Sequence, residues 1–315
     1  MKTHRVFQSI SLSLLGLGLL VPAVSAQQAS GAGVPSRLLV TVEARHGSTV
    51  PVINREDVVV NEGRDRDQVT GWTPLQGDQA RLELVILIDD GLNTTVGSQF
   101  SDLQKFIVAQ PTTTAIGIAY MREGTAAITQ NPTTDHAQAA KALRLPLGNR
   151  GVSPSPYLSL TNLIKRRPDQ QVRREVLMIT DGVDALNGGG PENPYLDQAI
   201  AAAQKAGVIV YSIYERGTGH FGHSFWRINW GQNYLSQLSD ETGGESYGLM
   251  IGNPVSFGPY LEDLTQKLTH QYLLTFVAKP EKKAGERKVK LTTEVPNADL
   301  VSADQVYVPV GTTTD

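Results

Sequence analysis

The run Leu82-Glu83-Leu84-Val85-Ile86-Leu87-Ile88 is apolar at almost every position and stops on Asp89, Asp90 and Gly91. A near-continuous apolar run of this length is what a strand covered on both faces requires, so the pattern predicts a buried parallel strand. Val176 to Thr180 repeats the arrangement and ends on Asp181-Gly182. Around these two strands the period changes to that of helices. Phe100, Leu103, Ile107 and Val108 share one helical face and predict a helix over Val96 to Ala109. Further helices are predicted from the Asp135 cap through Leu143, over Pro156 to Lys165, Pro194 to Ala206, Asn233 to Glu241 and Pro259 to His270. The strands between them are Ala115 to Tyr120, Val208 to Tyr214 and Glu245 to Leu249. Arg122-Glu123-Gly124 turns tightly into Thr125 to Thr129, which predicts one antiparallel edge strand. The alternation implies an α/β domain over 81–271, a doubly wound and mostly parallel sheet with helices on both faces.

The chain ends read differently. Arg37 to Arg45, Asp57 to Gly63 and Gln68 to Thr73 are short strands without helices between them. After 271 the pattern returns to β, with Tyr272 to Val277 and a strictly alternating Lys288 to Val295. The segment 37–80 is therefore expected to pack with 272–315 as a small β-sandwich flanking the α/β domain. Residues 27–36 are small and polar and read as a flexible lead-in. Within 1–26, Lys2 and Arg5 precede an apolar stretch from Ile10 to Val24, and Ala23-Val24-Ser25-Ala26 ends on the small residues that signal peptidase cuts. This predicts a signal peptide, a secreted or periplasmic address, and no membrane span after cleavage.

Composition narrows the chemistry. Cysteine is absent, which excludes disulfides, thiol nucleophiles and thiolate metal sites. The formal charge is -3 with no basic stripe, so nucleic acid is not an expected partner. The dense basic positions Lys165-Arg166-Arg167 and Arg173-Arg174 suit a solvated helix end and the loop after it. No Gly-x-Ser-x-Gly elbow, His-Glu-x-x-His or phosphate loop is present.

Two apolar strands ending in Asp plus Gly have a specific consequence. If they are neighbours, Asp89 and Asp181 converge at the carboxyl rim of the sheet, where open α/β sheets bind ligands. Carboxylates that close share either a proton or a cation. The strand ending Asp-x-x-x-Asn, the edge hairpin and the later Ile179-Thr180-Asp181-Gly182 resemble a von Willebrand factor type A domain, and the β flanks resemble the secreted bacterial group of such proteins. That resemblance implies a metal-ion-dependent adhesion site, Asp-x-Ser-x-Ser with a loop Thr and a second Asp, holding Mg²⁺ that a partner's carboxylate completes. Carried onto this chain, it implies Asp89, Asn93, Ser153 or Ser155, and Asp181 as metal ligands. Gly91 stands where the first Ser is expected and supplies no side-chain oxygen, a serious loss for an ion that demands octahedral geometry. Three readings follow: a weakened cation site, an inert scaffold, or a site rebuilt around Asp90, Thr94 or Thr95. Asp90 also suits a helix N-terminal charge, and either threonine an N-cap.

One further stretch carries a signal. Phe221, Phe225, Trp226 and Trp230 crowd a glycine-flanked segment after Tyr214 in a chain with 6% aromatics. Aromatics on a loop at the ligand rim form a candidate partner surface; the alternative is a loop folded against the sheet. His220 and His223 in the same segment have only Glu215 or Glu241 nearby as a third ligand, a weak signal for zinc. The expectation is a secreted, non-enzymatic binding or adhesion module engaging a protein at the rim. An assembly scaffold with an inert metal site and a metal-dependent hydrolase are the alternatives.

Overall fold

The computed structural model describes residues 33–148, 155–166, 172–187, 192–217, 224–249 and 252–310. The expected signal peptide and most of the lead-in lie outside them. Among the described residues, no helix is long and apolar enough to cross a membrane.

The chain opens with three strands: β1 (Val34–Ala44), β2 (Val58–Glu62) and β3 (Asp65–Pro74). The α/β part then runs β4 (Leu82–Asp89), α1 (Phe100–Ala109), β5 (Thr114–Arg122), β6 (Thr125–Thr133), α2 (His136–Lys141) and α3 (Pro156–Lys165). It continues through β7 (Arg173–Thr180), α4 (Pro194–Ala206), β8 (Val208–Tyr214), α5 (Phe225–Thr242), β9 (Ser246–Tyr247) and α6 (Gly258–Thr269). Four strands close the chain: β10 (Gln271–Ala278), β11 (Gly285–Thr293), β12 (Ala298–Ser302) and β13 (Gln305–Val308).

Two sheets result. The central one has the order β6-β5-β4-β7-β8-β9, parallel throughout except for the antiparallel edge strand β6. The sequence pattern explains the placement: β4, β7 and β8 carry the continuous apolar runs and occupy the middle. Edge strand β6 alternates exposed and covered residues and carries Pro132, which an interior strand would not tolerate. One core lies on the α1, α2 and α6 side, around Leu84, Ile86, Ile88 and Leu103. The other lies on the α3, α4 and α5 side, around Leu87, Met178, Val210 and Leu238.

The second sheet draws on both chain ends, as the pattern predicts. Its order is β12-β1-β10-β3-β2-β11-β13, and every pairing is antiparallel. The seven strands are one hydrogen-bonded series bent over one core, in which Val40 and Phe276 meet Val60, Val289 and Val306. Strand β3 is the corner: Asp65 to Asp67 pair with β2 and Gln68 to Pro74 with β10, and the β3–β10 ladder shifts register at Thr275/Phe276. Trp72 stacks on Tyr272 at this corner with ring centroids 4.4 Å apart.

The parallel strands start next to this second sheet and end far from it. At the near end, Arg173 donates to Gln271 Oε1 at 2.6 Å, and Gln271 Nε2 donates to Tyr211 Oη at 3.1 Å. Lys267 bonds Glu43 of β1. These polar ties leave the carboxyl rim as the free end of the molecule.

Candidate functional site

Strand β4 pairs with β7 in a register that sets Ile88 opposite Ile179, so both strands deliver their acidic residues to the same stretch of rim. Asp89 is buried, and its carboxylate accepts from Gly91 N at 2.7 Å and from Thr180 Oγ1 at 2.8 Å. Successive strand residues point to opposite faces, and Asp90 accordingly turns away from Asp89. Arg144 meets it with both terminal nitrogens, 2.6 Å and 2.8 Å from the two carboxylate oxygens. The same guanidinium lies 3.7 Å from the Tyr120 ring centroid, and Tyr120 Oη bonds the Arg144 main chain. Asp90 is thus neither a free helix-terminal charge nor an open ligand.

Asp181 sits where the sequence places it, beside Asp89, and is enclosed. Its Oδ1 accepts from Val183 N at 2.9 Å. Its Oδ2 faces the backbone of Gly217, so closely that a Cβ there would fall 1.9 Å from it. Gly217 is held in that position by an antiparallel bridge to Leu92 that ties the β4 and β8 loops together. From the other side α5 brings Gly231 against the Asp181 carbonyl, where a Cβ would come within 2.1 Å.

Burial raises the pKa of both carboxyls, and for Asp181 the neighbouring Asp89 charge adds to the rise. The donors around Asp89 favour its ionised form. Asp181 is therefore the member that keeps the proton. A third buried carboxyl stands at the same rim: Glu215, whose main-chain N–H bonds Thr180 O, is pushed up to about 7 by desolvation. Asn253 donates to its Oε1, and its Oε2 has no partner among the described residues.

The remaining residues that the resemblance implies are placed as follows. Asn93 accepts from Thr95 N at 2.9 Å and caps the short 3₁₀ turn over Thr94–Gln99; neither Thr94 nor Thr95 is the cap. Ser155 donates to Asp184 Oδ2 at 2.7 Å. Ser153 lies outside the described residues. Two of the implied ligands, Asp89 and Asp181, are brought together, and Asn93 and Ser155 are engaged elsewhere. Among the described residues no group of three His, Asp or Glu side chains could hold a metal ion. With Gly91 offering no side-chain oxygen and Asn93 and Ser155 engaged elsewhere, the described members of the set bring two carboxyls together where an octahedral Mg²⁺ takes six oxygens.

Helix α5 starts at Phe225, earlier than the predicted Asn233. The aromatics Phe225, Trp226 and Trp230 are therefore on its first turns and not in a loop; Phe221, His220 and His223 lie outside the described residues. Phe225 and Trp226 are 65% and 67% exposed and pack edge to face, whereas Trp230 rests against the core. Exposed Leu145, Leu147, Leu186 and Val255 stand on other loops of the same rim. Sequence reasoning missed Arg144 and Gly217, and weighed Glu215 only as a third ligand for zinc. Gly231 falls before the predicted helix start at Asn233 and reads as a loop residue, so the sequence gives no sign of the close backbone approach it makes.

No protein-family profile and no curated protein matches the sequence. Solved structures similar to the chain include an aerotolerance-related membrane protein from Bacteroides fragilis, at 14% identity over 59% of this chain and 98% of that one, with a TM-score of 0.41. An ArnB paralog, VWA2, from Sulfolobus acidocaldarius is similar at 8% identity over 88% and 76%, with a TM-score of 0.38. The SpRpn10 VWA domain is similar at 14% identity over 58% and 93%, with a TM-score of 0.36. The α/β domain is von Willebrand factor A-like, and that description rests on its own sheet: mostly parallel, doubly wound, with one antiparallel edge and acidic ends on β4 and β7.

Proposed function

We propose that the chain is a non-enzymatic protein-binding module that engages its partner at the carboxyl rim through apolar contact, without a bridging cation. The observation that carries this is the distribution of exposed apolar side chains. Leu145, Leu147, Leu186, Phe225, Trp226 and Val255 all stand at the rim, Val255 at 98% exposure. Away from it, only the isolated valines Val52, Val108 and Val310 are comparably exposed among the described residues. Exposed apolar side chains gathered at one end of a domain mark an interaction site, and the paired aromatics Phe225 and Trp226 supply its anchors. The enclosed carboxyls support the same reading. Asp89 and Asp181 are 1% and 7% exposed, so neither is presented to a substrate or to a partner's metal-bridging carboxylate. The leader-like 1–26 would deliver such a module to a partner outside the cytoplasm.

The test is site-specific photo-crosslinking in the native host, with a photoreactive residue at Trp226 or Leu186 and at Val52 as the control. A discrete crosslinked protein from both rim positions, absent at Val52 and unchanged by chelator, is expected. Products only from Val52, or rim products that vanish when divalent cations are removed, would overturn the reading.

A further inference from the structure

Away from the rim, at the base of the parallel sheet, a cleft of about 530 Å³ opens between the α/β domain and the second sheet. Alternation along the strands decides what faces it. Leu39 of β1 stands opposite Leu273 of β10, and Arg37, two positions earlier, shares the face of Leu39. That face looks toward the α/β domain, because Leu39 packs against the core on the α1, α2 and α6 side. Ile209 of β8 meets it from the domain, and β13, which lies alongside β1, closes the flank with Tyr307. Leu39 and Leu273 line the cleft and are only half-buried, so each leaves apolar surface turned into it.

The charge of the lining is one-sided. In a chain of formal charge -3, Arg37, Arg81, Arg173 and Lys205 line the cleft against a single acid, Asp78. These cations differ in what already holds them. Arg173 donates to Gln271 Oε1 at 2.6 Å and to Leu268 O at 3.2 Å, and Glu175 lies 3.6 Å from its Nε. Lys205 lies over the Tyr307 ring, 5.2 Å from the centroid. Arg37 and Arg81 are exposed, and their side chains make no ion pair or hydrogen bond among the described residues. Two unpaired guanidiniums therefore stand beside apolar surface that the fold leaves uncovered. A guanidinium is a planar fork that matches a carboxylate with two parallel hydrogen bonds.

We propose that this cleft binds an amphipathic organic carboxylate, its acid head held by Arg37 and Arg81 and its apolar body laid against Leu39, Leu273 and Ile209. The cleft volume falls within the range of small-molecule sites, about 300–1,000 Å³. The cations select an anionic head over a neutral or cationic one. The apolar wall selects a long body over a short one, because a bare anion gains only exposed ionic contacts that salt screens, whereas a body removed from water adds its hydrophobic transfer energy. The ligand enters a gap that already exists, and β13 keeps its place beside β1. The site lies at the far end of the parallel strands from the rim and does not depend on the reading given for the rim.

Decanoate is the probe, titrated into the purified protein with its leucine and isoleucine methyls labelled for NMR. Saturable shifts of the Leu39, Leu273 and Ile209 methyls are expected, at concentrations that leave the rim methyls of Leu145, Leu147 and Leu186 unmoved. Affinity should weaken with salt and fall about tenfold or more in Arg37→Gln/Arg81→Gln. Both side chains are exposed, and the methyl spectrum of the free variant verifies that the fold is intact. Acetate, decanol and decylammonium, which leave the protein unaltered, should each bind about tenfold or more weakly than decanoate. The proposal is overturned if decanoate moves only the rim methyls or none, if the double variant binds it as the wild type does, or if any of the three control compounds binds as tightly.

Discussion

Asp89, Asp181 and Glu215 are three carboxyls buried within one rim, and their protonation is written into the stability of the fold. Each has its pKa raised by desolvation above the ordinary values of 3.8 for Asp and 4.5 for Glu. The folded state therefore binds more protons than the unfolded chain once pH exceeds about 4, and these groups lower stability as pH rises. For Glu215 the loss falls between 4.5 and about 7. Glu215→Gln removes that part of the slope. In urea denaturation at pH 5 and pH 8, the variant should gain on the wild type at pH 8, and a difference that does not change with pH would refute the assignment. Asp89 and Asp181 were legible at this scale because each ends an apolar run. Arg144 was not, since it reaches Asp90 from a loop 54 positions away and nothing local announces the pairing.

Helix α5 shows what an element can hide. The aromatic segment and Gly231 point to a loop, yet the helix runs from Phe225 and uses the missing side chain at Gly231 to lie against the end of β7. Two glycines press on Asp181, and they differ in what they touch. At Gly231 an added methyl meets main chain, which cannot turn aside; at Gly217 it meets a carboxylate oxygen, which can. Gly231→Ala should therefore cost about 1–3 kcal/mol, the usual range for overpacking, and Gly217→Ala less. Equal costs in urea unfolding would show that the helix has room to shift. The sequence was most explicit for the long elements: β4, β7, β8 and α4 begin and end within a few residues of their predicted limits. It was least explicit for β12 and β13, short strands whose pairing partners β1 and β11 lie elsewhere in the chain. Pairing between distant segments leaves little trace in a local pattern.

On the scale of the whole molecule, the two sheets are joined by buried polar groups as well as apolar contact. Arg173, Gln271, Tyr211 and Thr41 form one chain of hydrogen bonds, and Lys267 gathers Glu43, Glu245 and Asp263. Such ties make the halves unfold together. With Trp226→Phe and Trp230→Phe in place, Trp72 is the sole tryptophan and reports on the second sheet, while far-ultraviolet circular dichroism follows the helices. Coincident thermal transitions are expected, and two separate midpoints would show the halves to be independent. The flanking sheet was foreseen as a union of both chain ends, and its closure has a mechanical consequence. The α/β domain leaves the sheet at Pro74 of β3 and returns at Gln271 of β10, and Pro74 pairs with Tyr272. Its two tethers are thus zipped side by side at their base. Tension applied across the second sheet, from β1 to β13, is carried along the ladder through β10, β3, β2 and β11, and the domain with its rim hangs off that path as a slack loop. A partner held at the rim stays undisturbed until the β3–β10 seam itself is pulled apart.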